Sequence, residues 1–332
     1  MMWEWWSSRP QHCLKFGTGS LAWAESERGW RGQRRRKCLM SPVPNGMISP
    51  SPMAPNLSDL TALADRVRTL TSSGRARHVV DRAARSALPR RITLLLPDTA
   101  VRATVLHFEQ LPTGRVEREN LIRWRLGQEQ LFPLNEAKIV SQAFHDQGAG
   151  GSAAYTVLTV SVQEAVLKQY ESFCESVGLI PYDVGITSLR LLNLWKRVSS
   201  GPEWFGRNVL WVSLFDRSLT TIVCRRGRPI FYRCKLLGED VADVLNQSDM
   251  VHRVLEECSA SLEVCHQRHP SVVINAAVIC AEGEALALQE RIQSEFQLTV
   301  EQFDWKTVET VGWGATGNHR EMTSLAALAG LP

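Results

Sequence analysis

The residues best suited to chemistry lie in one short turn, Phe16-Gly17-Thr18-Gly19-Ser20. Leu14-Lys15 enters it and Leu21-Ala22-Trp23-Ala24 leaves it, the pattern of a strand hairpin over residues 13–25. Glycine removes the side chain there, so backbone N–H groups of the turn can converge on an anion such as a phosphate. The residue before Phe16 is Lys15. A lysine at that place brings positive charge beside an anion, but it neither ligates Mg²⁺ nor activates a water.

No other constellation competes. Cys258, Cys265, His266 and His269 are metal-ligand types, yet their spacing fits no standard zinc pattern. Cys258 and Cys265 also fall on an apolar helical stripe and read as core. The remaining histidines are scattered, and Ser20, Ser213 and Ser218 lack the signature of a nucleophile elbow. No catalytic residue and no metal ligand is assigned. The eight cysteines form no CxxC pair and sit in apolar segments, as reduced thiols do in a reducing compartment.

The elements that must position the turn follow from periodicity. Residues 1–12, with Trp3, Trp5 and Trp6, form a leader, either docked through its aromatics or a non-native extension. The basic run from Arg28 to Lys37 reads as a solvated loop, with contact to acidic lipid head groups as its functional alternative. Leu60, Leu63, Ala64, Val67 and Leu70 repeat at helical spacing behind a Ser58 or Asp59 cap. Strands are expected at 91–98, 101–108, 139–145, 155–160 and 181–186, and helices at 116–127, 162–177 and 189–198, the second stopping at Gly178. Gly201-Pro202 marks a boundary. A meander of three strands follows at 209–214, 219–224 and 229–234, then a helix within 240–266, a strand at 278–281, a helix at 286–296, a strand at 298–303 and a closing helix at 322–328.

The formal charge of +4 on 332 residues is too mild for an obligate nucleic-acid binder, and no segment reaches the length of a transmembrane helix. The start is too short and carries Glu4, so it is not a secretory signal. The element order is that of an α/β protein with two mixed-sheet halves, a duplicated ribonuclease-H-like fold. The first half covers 13–200, with an inserted subdomain at about 100–152, and the second covers 204–332. A ligand in such a fold sits between the halves.

Four stretches carry a family resemblance. They are the Phe16–Ser20 turn; Leu111-Pro112 with Glu117, Glu119, Leu121-Ile122-Arg123-Trp124 and Phe132-Pro133-Leu134; Tyr155 to Leu179 ending Ser176-Val177-Gly178-Leu179; and Val209 to Gly238 with Leu236-Leu237-Gly238. Together they resemble the PilM family of actin-like type IV pilus assembly proteins, with the cytoplasmic part of the type II secretion protein GspL as a related case. The resemblance implies an actin-like ATPase fold with a small inserted α/β subdomain. It places the chain in the cytoplasm, peripheral to the inner membrane, beside other pilus assembly proteins. The implied partner is a PilN-like single-pass membrane protein, whose cytoplasmic N-terminal tail docks against the first subdomain and the insert. Trp124, Phe132 and Leu134 are the candidates near that groove, with Trp124 packed between subdomains.

The departures from the family pattern decide the functional expectation. The resemblance implies an acid at Lys15, a lysine at Ala22, an acid and glycines around Ser213, Phe215 and Asp216, and paired glycines where Ala281-Glu282-Gly283-Glu284 stands. Gly17, Thr18, Gly19, Ser20 and Gly283 are thus what remains of a nucleotide site. The expectation is a non-catalytic scaffold of a type IV pilus or type II secretion-like platform, requiring no cofactor. The alternative is an active actin-like ATPase or sugar-kinase-like phosphotransferase that binds ATP through a divergent site.

Overall fold

Strand β1 (His12–Phe16) is almost wholly buried, because its run Cys13-Leu14-Lys15-Phe16 has a neighbour on every side. Its antiparallel partner is β2 (Ser20–Arg28), and β3 (Arg34–Pro42) continues the meander. The computed structural model describes residues 10–28, 34–72, 89–129, 133–145, 155–199, 206–238, 248–283, 285–316 and 321–332. Residues 1–9 of the Trp-rich leader, Gly148–Gly151, Gly201-Pro202, Phe132 and Glu284 lie outside them, while His12, expected in the leader, opens β1. The basic run, expected as a loop, is instead partly strand: Arg34–Lys37 lie in β3. Arg35 and Lys37 stand opposite Glu27 and Glu25 of β2, so cross-strand charge pairing suits the run to a sheet edge.

Helix α1 (Leu60–Ser72) buries Leu63, Ala64, Val67 and Leu70, while Leu60 stays exposed. Strand β4 (Arg90–Leu96) then pairs parallel with β1, as its unbroken apolar run requires for burial on both faces. A single 3-10 turn, Asp98–Ala100, leads into the insert. The insert comprises β5 (Arg102–Phe108), α2 (Arg115–Glu129), β6 (Ala137–His145) and β7 (Tyr155–Gln163). Its sheet order is β5-β7-β6. Strand β7 is its centre, so the inserted unit runs to Gln163 and not to 152. Leu106, Ile122, Leu126 and Val157 form its small separate core.

Helix α3 (Glu164–Ser176) ends as its sequence dictates, with Gly178 at φ +78°. Strand β8 (Leu179–Ile186) and helix α4 (Thr187–Val198) complete the first half. The second half repeats the plan. Strands β9 (Asn208–Phe215), β10 (Ser218–Arg225) and β11 (Arg228–Leu236) form the meander. Helix α5 (Ser248–Arg268), β12 (Ala276–Ala281), α6 (Leu286–Phe296), β13 (Thr299–Gln302) and α7 (Trp305–Thr310) follow.

The two large sheets run β3-β2-β1-β4-β8 and β11-β10-β9-β12-β13, each an antiparallel meander continued by two parallel strands. Helix α7 was not expected; at 6 residues it is too short to show a period. The closing helix, α8 (Met322–Ala329), does not stay with the second half. It packs on β1, β2, β3 and α4 of the first, and its alanines allow a close approach. A Cβ on Gly330, just beyond it, would stand 2.2 Å from Cys13 Sγ. One apolar core joins the halves: Trp195 of α4, Trp211 of β9 and Phe303 pack with ring centroids 5.8 and 5.9 Å apart.

Candidate functional site

Lys15 sits on the buried central strand, 0% exposed, where an ammonium group is tolerated only if fully partnered. Its Nζ donates to both carboxylate oxygens of Asp216 at 3.2 Å and to Thr323 Oγ1 at 3.0 Å. Asp216, itself buried, comes from the β9–β10 turn of the second half, and Thr323 from α8. Asp216 Oδ1 also accepts the Thr18 backbone N–H at 3.0 Å. Ser20 Oγ lies 3.2 Å from Thr323 Oγ1. One carboxylate therefore occupies the anion position of the glycine turn, and one lysine neutralises it from below.

The backbone is shaped for this contact. Asp216 and Arg217 adopt φ of +52° and +58°, an unusual pair of left-handed residues without glycine. The turn they make drives the Asp216 side chain across the gap between halves. Gly17 leaves room for it: a Cβ there would stand 2.4 Å from Asp216 Oδ1 and 2.7 Å from Lys15 Nζ. Lys15 is directly paired with Ala22 across the hairpin, so both point to the same face.

Thr18, Gly19, Ser20 and Gly283 do come together. They line one open cavity of about 590 Å³ between the halves. Gly17 lies behind it, against the ion pair. Glu282, Asp304 and Glu321 line the same cavity against one cation, Lys306. Asp304 caps α7 through the Thr307 N–H at 3.0 Å. Among the described residues no group of three or more His, Cys, Asp or Glu side chains is placed to hold a metal ion. Cys258 and Cys265 lie on the buried face of α5.

A second buried carboxylate lies close by. Asp98 accepts hydrogen bonds from Ser188 Oγ at 2.6 Å, from the Ser188 N–H and from Tyr232 OH at 3.2 Å. Burial pushes its pKa up to about 6, with the Asp216 charge adding and the Ser188 hydrogen bonds opposing. Neither Asp98 nor Thr323 carries a local sequence signal of this role. The usable signal was Lys15: a lysine inside an apolar strand demands a buried acid elsewhere in the chain.

The predicted partner residues sit apart from the cleft. Trp124 is 59% exposed on the outer face of α2, so it does not pack between subdomains. Leu134 packs against the insert core beneath that helix. Neither lines the groove between the insert and the first half. That groove, about 330 Å³, is walled by Val140, Leu158 and Val160 of the insert and by Leu96, Val184 and Leu189 of the first half. Its two rims include β6 and β8, each an edge strand of its sheet.

No family model matches the chain, and no curated protein matches it. Solved structures place the fold as the actin-like ATPase fold: a Bacteroides thetaiotaomicron protein of that fold, whose function is unknown, aligns with a TM-score of 0.50 at 8% identity over 97% of this chain and 96% of its own. A chain of the PilM–PilN type IV pilus biogenesis complex aligns with a TM-score of 0.69 at 15% identity, over 96% of this chain and 97% of that one. The cytoplasmic domain of EpsL, an inner-membrane component of the Vibrio cholerae type II secretion system, gives 0.45 at 11% identity, over 96% and 93%.

Proposed function

We propose that this chain is a non-catalytic scaffold of an inner-membrane pilus or secretion platform, working by holding a membrane protein's cytoplasmic tail. The observation that carries the proposal is the Asp216 carboxylate seated on the Thr18 N–H and paired with Lys15. A triphosphate at that place would compete with Asp216 for the Thr18 N–H and would face Glu282 and Glu321. Like charges at about 4 Å repel by several kcal/mol at a surface-like dielectric. The residues present therefore fit an internal ion pair better than a nucleotide. The fold shared with a chain of the PilM–PilN complex supports the choice of platform, and the apolar groove beside Val184 supports a PilN-like tail as the occupant. Among the described residues no helix is long and apolar enough to cross a membrane, so attachment through such a partner is part of the proposal.

Two measurements test it. The wild-type chain should release no phosphate from Mg-ATP beyond a Lys15→Met variant, and turnover above that variant overturns the non-catalytic reading. It should also co-purify with the cytoplasmic tail of a single-pass inner-membrane partner, and Val184→Asp should abolish capture. Equal capture by both proteins refutes the groove.

A further inference from the structure

Strand β6 is an unusual edge. It is 9 residues long, and most of its side chains are exposed, Val140 to 64%. Its one ladder partner among the described residues is β7. Exposed edges of that length ordinarily carry repeated charges or kinks that stop other strands from pairing. Here one lysine, Lys138, is the only charged residue before the terminal His145.

The faces of β6 follow from its register. Lys138, Val140 and Gln142 stand opposite Val162, Val160 and Leu158 of β7, which line the apolar groove. Ile139, Ser141 and Ala143 share the other face with α2 and line a second, polar cavity of about 890 Å³, whose lining also includes Lys138 and Val140. The charged residues of α2 around that cavity are Arg115, Arg118 and Arg123 against Glu119. Arg115 pairs with Glu119 at 2.8 Å, and Arg123 reaches the Leu134 carbonyl oxygen, so the net field over this face is positive.

A strand added to β6 presents alternate side chains to these two cavities, because strand side chains alternate with a period of two. We infer that β6 accepts an extended partner segment in which apolar residues, facing the groove, alternate with acidic residues, facing Arg118 and Arg123. The inference rests on the docking reading above and adds the mode and chemistry of the bound segment. Backbone hydrogen bonds along β6 give affinity without regard to sequence. The groove walls select the apolar positions, and the arginines select the acidic ones.

The experiment uses the full chain and short fluorescent peptides that alternate valine with glutamate, glutamine or lysine. Anisotropy should rank glutamate first, by about tenfold over glutamine for two or three partly exposed ion pairs, and lysine last. Added salt should shrink the preference. The double variant Arg118→Glu with Arg123→Glu should invert the order, its fold checked by circular dichroism. Equal binding of the three peptides, or an order unchanged in the double variant, overturns the inference. If Val184→Asp abolishes capture of the membrane partner's tail while the peptides show no order, docking stands and the alternation falls. If Val184→Asp changes neither tail capture nor peptide binding, both fall. Self-association of the wild type that the double variant abolishes would seat a second copy on β6 and likewise overturn the assignment.

Discussion

Replacing Lys15 by methionine removes the one cation bonded to Asp216 among the described residues while keeping the volume of the side chain. The Asp216 carboxylate, 4% exposed, would then retain the Thr18 N–H as its one hydrogen bond among the described residues. At 3.2 Å and an effective dielectric of about 20, the lost attraction is about 5 kcal/mol. Measured losses on breaking buried pairs are about 3–5 kcal/mol, in agreement. Removing both charges, as Lys15→Met with Asp216→Leu, should restore much of that stability, because neither ion is then buried without its partner. Urea unfolding followed by tryptophan fluorescence, in a full double-variant cycle, measures the coupling. The reasoning is refuted if Lys15→Met costs under about 1 kcal/mol, or if the double variant loses the sum of the single losses.

Four further outcomes follow from the same geometry. Asp216→Gly relieves the left-handed backbone and frees Lys15 and the Thr18 N–H, so inorganic phosphate should raise the melting temperature of that variant and leave the wild type unchanged. Gly17→Ala would press a methyl group against the ion pair at 2.4 Å, so a loss of about 1–3 kcal/mol is expected by urea unfolding. Asp98, held at about 6 against an ordinary 3.8, binds its proton more tightly when folded; its contribution is therefore neutral below about pH 4 and becomes a loss approaching 3 kcal/mol above pH 6. Relative to Asp98→Asn, the wild type should lose stability as pH rises across that window. Burial pushes the thiols of Cys38, Cys174, Cys234 and Cys258 up to about 12, so a thiol reagent should label the native chain slowly and the urea-unfolded chain at once.

The periodic elements were legible because burial on one face leaves a mark in the local sequence. The β9–β11 meander, α3 with its Gly178 stop, and the Phe16–Ser20 hairpin all stand where their patterns put them. Elements shorter than two helical turns, such as α7, left no such mark, and the charged edge strand β3 resembled a loop because its basic run carries no apolar alternation, Cys38 alone among its described residues being buried. Strand β7 could be found from its alternation, but not its sheet: pairing with β5 and β6 rather than β4 is a choice among distant edges.

By itself, the sequence determined the duplicated α/β plan, the glycine turn and the presence of a lysine in the apolar strand that enters it. Tertiary structure decided what that lysine does. Its partners lie 201 and 308 residues away, in a turn of the second half and in a helix that crosses back to the first. No local pattern records such a meeting, because a carboxylate in a solvent-facing turn and one that enters another half's anion seat have the same sequence. Tertiary structure also opened, away from Trp124, the apolar groove between β6 and β8 on which the proposed docking rests. Which apolar side chains remain uncovered depends on how the insert closes on the first half, and that closure is a property of the assembled sheets.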